Sequence, residues 1–163
     1  VLSSVDSTGL ELLPEHVDFS QEFDVICQSL EQRVDNPNVE FQKENPLPSL
    51  MVTIDNGRIQ QVITNFVTNA VKNTQQGHIR VGYRVDETAD GRSIYLYCKD
   101  TGSGIPEDEQ ARIFERFVKL NDFVQGTGLG LSICKAIIEK CGGEIGVESE
   151  IGKGSTFWFR IPI

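Results

Sequence analysis

The segment from Asp55 to Thr74 is the strongest constraint on how this chain folds. Its apolar residues recur at intervals of three and four behind an aspartate suited to cap a helix, and they are Ile59, Val62, Ile63, Phe66, Val67, Ala70 and Val71. This spacing predicts one long amphipathic helix with its apolar side buried against a core. Any fold assigned to the chain must supply a packing surface for that side.

The same helix carries polar residues with a spacing of their own. Asn65, Asn69 and Lys72 stand at positions i, i+4 and i+7, so they share one face of the helix. A polar helix face is usually only solvated, and this interpretation stays open. The chemical alternative is that Asn69 offers a neutral oxygen to a hard cation and Lys72 a positive charge to phosphate. Asn65 would then orient water or phosphate.

The remaining periodicities indicate helices and strands in irregular alternation. We predict helices over residues 20–34, 107–117 and 131–143, and strands over 16–20, 39–44, 51–54, 78–85, 93–100, 144–150 and 155–163. Ser20 is the predicted cap of the first helix, whose stripe is Phe23, Val25, Ile26, Leu30 and Val34. The pattern favours the α/β class, a two-layer sandwich with a mixed β-sheet covered on one face by helices. Residues 1–16 are predicted to be a linker or the trailing end of a preceding helix, and residues 17–163 the domain.

Charge and composition narrow the class of partner. With 24 acidic and 15 basic residues the formal net charge is −9, so the surface lacks a general phosphate-binding field and nucleic acid is not an expected partner. An anionic ligand must be held locally. The four cysteines form no CxxC pair and are predicted to be buried reduced thiols. Because the chain starts at Val1 and has its only methionine at Met51, we expect it to derive from a longer protein.

Two glycine-rich segments are candidate ligand loops. In DTGSGIP, Gly102 and Gly104 follow Asp100, a carboxylate able to accept a hydrogen bond from an exocyclic amine. An ordinary turn is an equally valid interpretation of that motif alone. In GTGLGLSI, glycines at 126, 128 and 130 lead into a helix, where free N–H groups and the helix dipole form an anion site. Arg116 and Lys119 precede this loop and could reach a nucleotide if the loop closes as a lid.

The order of these motifs is more specific than any one of them. Asn65 to Asn69 on a helix, a hairpin, DTGSGIP, IFERF, GTGLGLSI and GKGST follow one another. In this order the chain resembles the catalytic domain of sensor histidine kinases, of the GHKL ATPase superfamily, over residues 17–163. The resemblance implies a Bergerat-type ATP-binding fold.

The resemblance also implies a role for each motif residue. Asp100 would bind the adenine amino group, and Asn69 would ligate Mg²⁺. Asn65 and Lys72 would face the phosphates, with Arg116 and Lys119 near the γ-phosphate. The other implied contacts to ATP are the base-pocket residues Gly102, Gly104, Ile105 and Thr156, the residue Asn73 after the lysine, and the lid residues Gly126, Thr127, Gly128, Leu129 and Gly130.

The implied reaction is attack by a histidine imidazole on the γ-phosphoryl group of Mg-ATP. His16 and His78 lack the sequence context of a family acceptor and are interpreted as structural, so the acceptor would belong to a separate dimerisation domain. The implied partners are that domain and the receiver domain of a response regulator. The fragment is expected to be monomeric and its parent a homodimer. We expect a cytoplasmic domain, with anchoring of the parent in the bacterial inner membrane left open.

Two departures from the family pattern stand out. Asn73 replaces a frequent aromatic residue, and only eight residues separate Phe117 from Gly126, which makes the predicted lid short. Two alternatives remain at this stage: an ATPase of the same fold, and a module that senses nucleotide without transferring phosphate. The ATPase relatives typically have a glutamate base where this chain has Asn65, which argues against efficient hydrolysis.

Overall fold

A computed structural model describes residues 10–115 and 130–163. Seven strands and four helices follow one another in this part of the chain. The strands are β1 (Glu15–Asp18), β2 (Val39–Glu44), β3 (Met51–Ile54), β4 (Gly77–Thr88), β5 (Gly91–Asp100), β6 (Glu144–Glu150) and β7 (Gly154–Pro162). The helices are α1 (Phe19–Glu31), α2 (Asn56–Asn73), α3 (Glu107–Gln110) and α4 (Gly130–Lys140).

The main sheet has five strands in the order β2-β4-β5-β7-β6. Strands β2 and β4 are parallel, and the other neighbours are antiparallel, so the sheet is mixed. A separate two-stranded antiparallel sheet joins β1 to β3. The predicted fold class is confirmed: helices cover one face of a mixed sheet.

Alternation along the strands produces this layering. Successive side chains of a strand face opposite ways. The alternate residues that are buried on the side of the helices are Ile79, Val81 and Tyr83 of β4, Ile94, Leu96 and Cys98 of β5, and Phe157, Phe159 and Ile161 of β7. The apolar stripe predicted on α2 packs on this face, and Ile59, Val62, Phe66 and Val67 are completely buried. The ring centroids of Phe66 and of Phe157 on β7 lie 5.5 Å apart. Helix α2 therefore rests on the centre of the sheet.

The opposite face of the sheet is covered by its own side chains. Trp158 stacks on Tyr95 with ring centroids 5.8 Å apart. The Arg84 guanidinium lies 4.0 Å from the centroid of the Tyr95 ring. Trp158 also lies across Gly146, where a Cβ atom would come within 2.5 Å of the indole. These aromatic and arginine side chains shield a face that no described helix covers.

Two of the predicted helices differ from the structure. Helix α1 begins one residue before Ser20 and is capped by Asp18, whose Oδ1 accepts from the Ser20 N–H at 3.1 Å. The Ser20 hydroxyl instead turns into the core, 2.8 Å from the Tyr83 hydroxyl. Val25, which was predicted to belong to the apolar stripe of α1, is 61% exposed.

The second difference concerns the IFERF segment, which was predicted to be helical. Helix α3 is a single turn that ends at Gln110. After it, the Arg112 and Glu115 N–H groups bond to carbonyls three residues back, as in turns. Ile113 is buried there, and Phe114 packs edge-on against Phe157. The segment after Gln110 therefore packs on the core through one buried and one partly buried side chain without continuing the helix.

The thiols behave as the sequence predicts for Cys27, Cys98 and Cys134, which are buried and reduced. Burial raises the pKa of Cys27 and of Cys134 to about 12. Cys141 is only partly buried, in the turn after α4. No helix in the described part of the chain has the length and apolar character needed to cross a membrane.

Candidate nucleotide site

Asp100 forms the floor of the candidate site at the end of β5. It is 1% exposed, and its Oδ1 accepts from the Gly102 N–H at 2.9 Å and the Ser155 N–H at 3.3 Å. Its Oδ2 is buried and has no hydrogen-bond partner within the described residues. Loss of hydration raises the pKa of Asp100 to about 6, although the two N–H donors oppose that rise. The site therefore contains an unused acceptor.

The glycines of the following loop allow close contacts, as predicted, but the contacts are with the protein itself. A Cβ atom on Gly102 would lie 2.4 Å from the Asn73 carbonyl oxygen, and one on Gly104 would lie 2.3 Å from the Glu150 carbonyl oxygen. Gly104 also has a positive φ of 80°. The loop is thus wedged between the end of α2 and the end of β6.

Polar side chains from two elements fix the backbone of Ile105. The Ile105 N–H donates to Ser149 Oγ at 2.8 Å. Gln110 Nε2 donates to the Ile105 and Ser149 carbonyl oxygens at 2.8 and 2.9 Å. The Ile105 side chain is buried. The loop over residues 101–106, here called the base loop, is therefore held by α3 and β6 together, a connection that was not predicted from the sequence.

Thr156 was predicted to lie close to the base, but the strand register turns its side chain away from Asp100. Ser155 is the residue opposite Asp100, while Thr156 is opposite Lys99. Neighbouring residues of a strand point to opposite faces, so Thr156 faces away from Asp100 and Ser155 faces with it. The alternation of Phe157, Phe159 and Ile161 in the sequence was the signal that could have identified Ser155.

The polar face of α2 borders the same region. Asn69 and Asn73 are buried on this helix. Asn65 Nδ2 donates at 3.3 Å to both the Gly130 carbonyl oxygen and Cys134 Sγ, so it contacts the start of α4. The structure thus brings the Gly130 carbonyl oxygen next to Asn65.

Asn73 contacts the base loop where the family often has an aromatic residue. Its Oδ1 accepts from the Ser103 hydroxyl at 2.8 Å. Its Nδ2 is buried and has no hydrogen-bond partner among the described residues. Lys72, Asn73 and Ser103 border a cleft of about 620 Å³ between the end of α2 and the base loop. The cleft is large enough for part of a nucleotide.

Six predicted site residues lie outside the described residues, so the structure does not place them. They are Arg116, Lys119, Gly126, Thr127, Gly128 and Leu129. The predicted lid between Phe117 and Gly126 falls in the same stretch.

Of the two histidines, His16 pairs through Nδ1 with Thr53 Oγ1 at 3.2 Å, and His78 lies on β4.

Comparison with known proteins identifies the family. The matching family model is that of the histidine kinase-, DNA gyrase B- and HSP90-like ATPases, and it matches residues 54–163. The chain belongs to this family. Within the family its relatives are sensor kinases, and it has the architecture of a histidine kinase ATP-binding catalytic domain of the GHKL superfamily.

Among curated relatives, the histidine kinase-type domain is 48% identical to sensor histidine kinase AruS of Pseudomonas aeruginosa over 64% of this chain and 11% of AruS. It is 32% identical to sensor histidine kinase WalK of Bacillus subtilis over 99% of this chain and 27% of WalK. The domain therefore spans about a quarter or less of the length of these relatives.

Two solved structures share the fold closely. The isolated catalytic domain of histidine kinase ThkA matches with a TM-score of 0.79 and 31% identity, over 93% of this chain and 98% of that one. Full-length ShkA, solved in complex with AMPPNP, matches with a TM-score of 0.80 and 34% identity, over 94% of this chain and 32% of ShkA.

Proposed function

We propose that this domain binds Mg-ATP and presents its γ-phosphoryl group to a histidine of a separate dimerisation domain. The observation that carries the proposal is the buried, unused Oδ2 of Asp100 beside the loop at Gly102 and Gly104. An isolated buried acceptor is costly unless a ligand supplies a donor, and the adenine amino group is such a donor.

The residues near the cleft suit the rest of the nucleotide. Lys72 borders the cleft and would face the phosphates, with Asn65 about two turns earlier on the same face of α2. The amide oxygen of Asn69 is the proposed ligand of Mg²⁺, which usually takes one or two protein oxygens together with substrate phosphates. When bound, the ion would neutralise charge on the transferring phosphoryl group.

The catalytic contribution of the domain would be positioning and electrostatics. Gly130 opens α4, so its N–H belongs to a helix N-terminus suited to phosphate. Arg116 and Lys119, with the residues from Gly126 to Leu129, complete the proposed phosphate and lid contacts. The Asn65 amide cannot act as a general base, which favours transfer to an acceptor over hydrolysis.

The wider setting is also part of the proposal. The acceptor domain and a response-regulator receiver domain are the partners, with the parent acting as a cytoplasmic or membrane-anchored homodimer. Residues 1–16 would connect to the acceptor domain, and residues 17–163 form the catalytic unit.

Binding is tested by calorimetry with ADP and ATP, with and without Mg²⁺. We expect Asp100→Asn to weaken binding of both nucleotides by about tenfold, because the amide cannot accept the amino proton at the position of Oδ2. Asn69→Ala should weaken only the magnesium-dependent part. Thr156→Ala is the control, since its side chain faces the other side of the sheet. Equal affinity in wild type and both site variants would contradict the proposal.

Transfer is tested separately with γ-labelled ATP and the acceptor domain of the parent protein. An acid-labile, base-stable label on that domain is the expected product. ATP binding without such a label would instead support a nucleotide-sensing module. Rapid ATP hydrolysis by this domain alone would support an ATPase.

A further inference from the structure

Ser149 stands at a junction of hydroxyl and backbone groups beneath the base loop. Its Oγ lies 2.8 Å from the Ile105 nitrogen, 2.9 Å from the Gly154 carbonyl oxygen and 2.8 Å from Ser155 Oγ. The first of these partners, the Ile105 N–H, is a donor, and the second, the Gly154 carbonyl oxygen, is an acceptor. Only the contact between the two serines leaves the direction of its proton open.

Counting protons determines that direction. A serine hydroxyl has one proton and two lone pairs. If Ser149 donates to the Gly154 carbonyl, it can accept from both the Ile105 N–H and the Ser155 O–H, and all three contacts contain a proton. If Ser149 donates to Ser155 instead, the contact with the Gly154 carbonyl has none. The first arrangement forms more hydrogen bonds and is favoured.

This arrangement determines what Ser155 can offer a ligand. With its proton directed to Ser149, the Ser155 hydroxyl presents only lone pairs. Ser155 is opposite Asp100 on the neighbouring strand and on the same face, so the two side chains are neighbours. Asp100 Oδ2 is itself an unused acceptor. The floor of the site therefore presents acceptors and no free side-chain donor from these two residues.

We infer that Ser149 sets the hydrogen-bond polarity of the base pocket and thereby its preference for a 6-amino purine over a 6-oxo purine. Ser149 acts as a positioning residue, because it reaches the base only through Ser155 and Ile105. An amino group can donate to the acceptors of Asp100 and Ser155. A 6-oxo group would instead place a third acceptor against them, with no proton to share. The inference rests on the proposed binding of an adenine nucleotide at Asp100.

The test compares ADP with IDP, which carries a 6-oxo group, by calorimetry. Wild type should prefer ADP. In Ser149→Ala the Ser155 proton loses its acceptor and can turn toward the ligand, so the ratio of ADP to IDP affinity should fall roughly tenfold. Ser149→Thr keeps the hydroxyl and should keep the wild-type ratio. Thr156→Ala removes a neighbouring hydroxyl from the opposite face and should leave the ratio unchanged.

A purely structural role for Ser149 gives a different result. Loosening of the loop would lower both affinities by the same factor, and an unchanged ratio in Ser149→Ala would overturn the inference. In a Ser155→Ala background, the Ser149→Ala change should no longer alter the ratio, and a further drop would also overturn it. If Ser149→Ala does not fold, Ser155→Ala alone must lower the ratio, and failure to do so overturns the inference.

Failure of the proposed function is distinguishable from failure of this inference. A wild-type domain that binds neither nucleotide contradicts both. A wild-type domain that prefers ADP, with the same ratio in Ser149→Ala, contradicts only the role of Ser149.

Discussion

Asp100 is a residue whose suitability for binding has a cost in stability. Its carboxylate is buried, one of its oxygens has no partner among the described residues, and its pKa of about 6 lies above the ordinary value of 3.8. The folded state therefore holds the proton more tightly than the unfolded state. The resulting stabilisation is complete below about pH 4 and is lost as the pH rises through 6.

Asp100→Asn should accordingly stabilise the nucleotide-free domain at pH 7 by roughly 1–3 kcal/mol, because it replaces a buried charged side chain by a neutral one of nearly the same shape. Urea unfolding at several pH values measures this. The difference between variant and wild type should shrink as the pH falls from 7 to 4. Asp86→Asn is the control, since Asp86 is a partly exposed carboxylate with two arginine partners. A less stable Asp100→Asn variant at pH 7 would contradict the prediction.

The residues of the site differ in how far the sequence could predict them. Asp100, Gly102 and Gly104 form a compact motif that can be recognised in the sequence. In the structure Asp100 contributes a buried oxygen without a hydrogen-bond partner among the described residues. Ser149 and Gln110 could not be predicted, because their contacts join segments about 40 residues apart that only folding brings together. Thr156 was predicted to contact the base, whereas strand alternation, which is visible in the sequence, turns Ser155 and not Thr156 toward Asp100.

At the scale of elements, Asp55 joins α2 to the segment that precedes β1 through its two oxygens. Oδ1 accepts from the Arg58 N–H at 3.0 Å and caps α2, while Oδ2 accepts from the Leu13 N–H at 2.7 Å. Asp55→Ala should lower the free energy of unfolding by about 1–2 kcal/mol, because it removes the cap as well as the bond to Leu13. Asp55→Asn keeps a capping oxygen and should cost roughly half as much.

The two variants of Asp55 are compared by urea unfolding. Equal losses in both would mean that the cap contributes nothing, contrary to the geometry. Circular dichroism of each variant checks that α2 is retained.

The turn between β6 and β7 provides a second element-scale prediction. Gly154 has a φ of 113°, and a Cβ atom there would lie 2.0 Å from the Asp100 carbonyl oxygen. Gly154→Ala should therefore cost about 3 kcal/mol or more. Gly152 has a φ of 84° with nothing within 4 Å of its Cβ position, so Gly152→Ala should cost only about 1 kcal/mol. Similar unfolding curves for both variants would contradict the predicted clash.

Elements were predicted best where a repeat was bounded by clear turn or capping residues. Helix α2 and the strands β2 and β3 match the prediction closely, since each has a clear repeat and a distinct boundary. The segment after Gln110 looked helical because its composition suits a helix. There, Ile113 is buried and Phe114 is partly buried against Phe157, and this packing depends on the finished core.

For the whole molecule, the sequence correctly predicted a mixed sheet covered on one face by helices. The strand order could not be derived, because it depends on which edges meet in space. The predicted domain start at residue 17 also passes through β1, which runs from Glu15 to Asp18 and pairs with β3. Leu10 is buried before that strand.

A chain beginning at residue 17 should thus be less stable than one beginning at Leu10. It loses the burial of Leu10 and part of the β1–β3 pairing, and we expect a loss of about 2 kcal/mol or more. Thermal unfolding of the two chains measures the difference. Equal midpoints would place the functional boundary at residue 17, as the sequence analysis predicted.

The stacking of Trp158 on Tyr95 has a practical consequence for the unfolding measurements above. Trp158 is the only tryptophan of the chain, and its position in β7 places it on the face of the sheet opposite Asp100. Its fluorescence should respond to loss of the sheet and be insensitive to occupation of the base pocket. Unfolding curves recorded with and without nucleotide would then share one optical baseline, and the increase in the free energy of unfolding at a known nucleotide concentration would give the Kd.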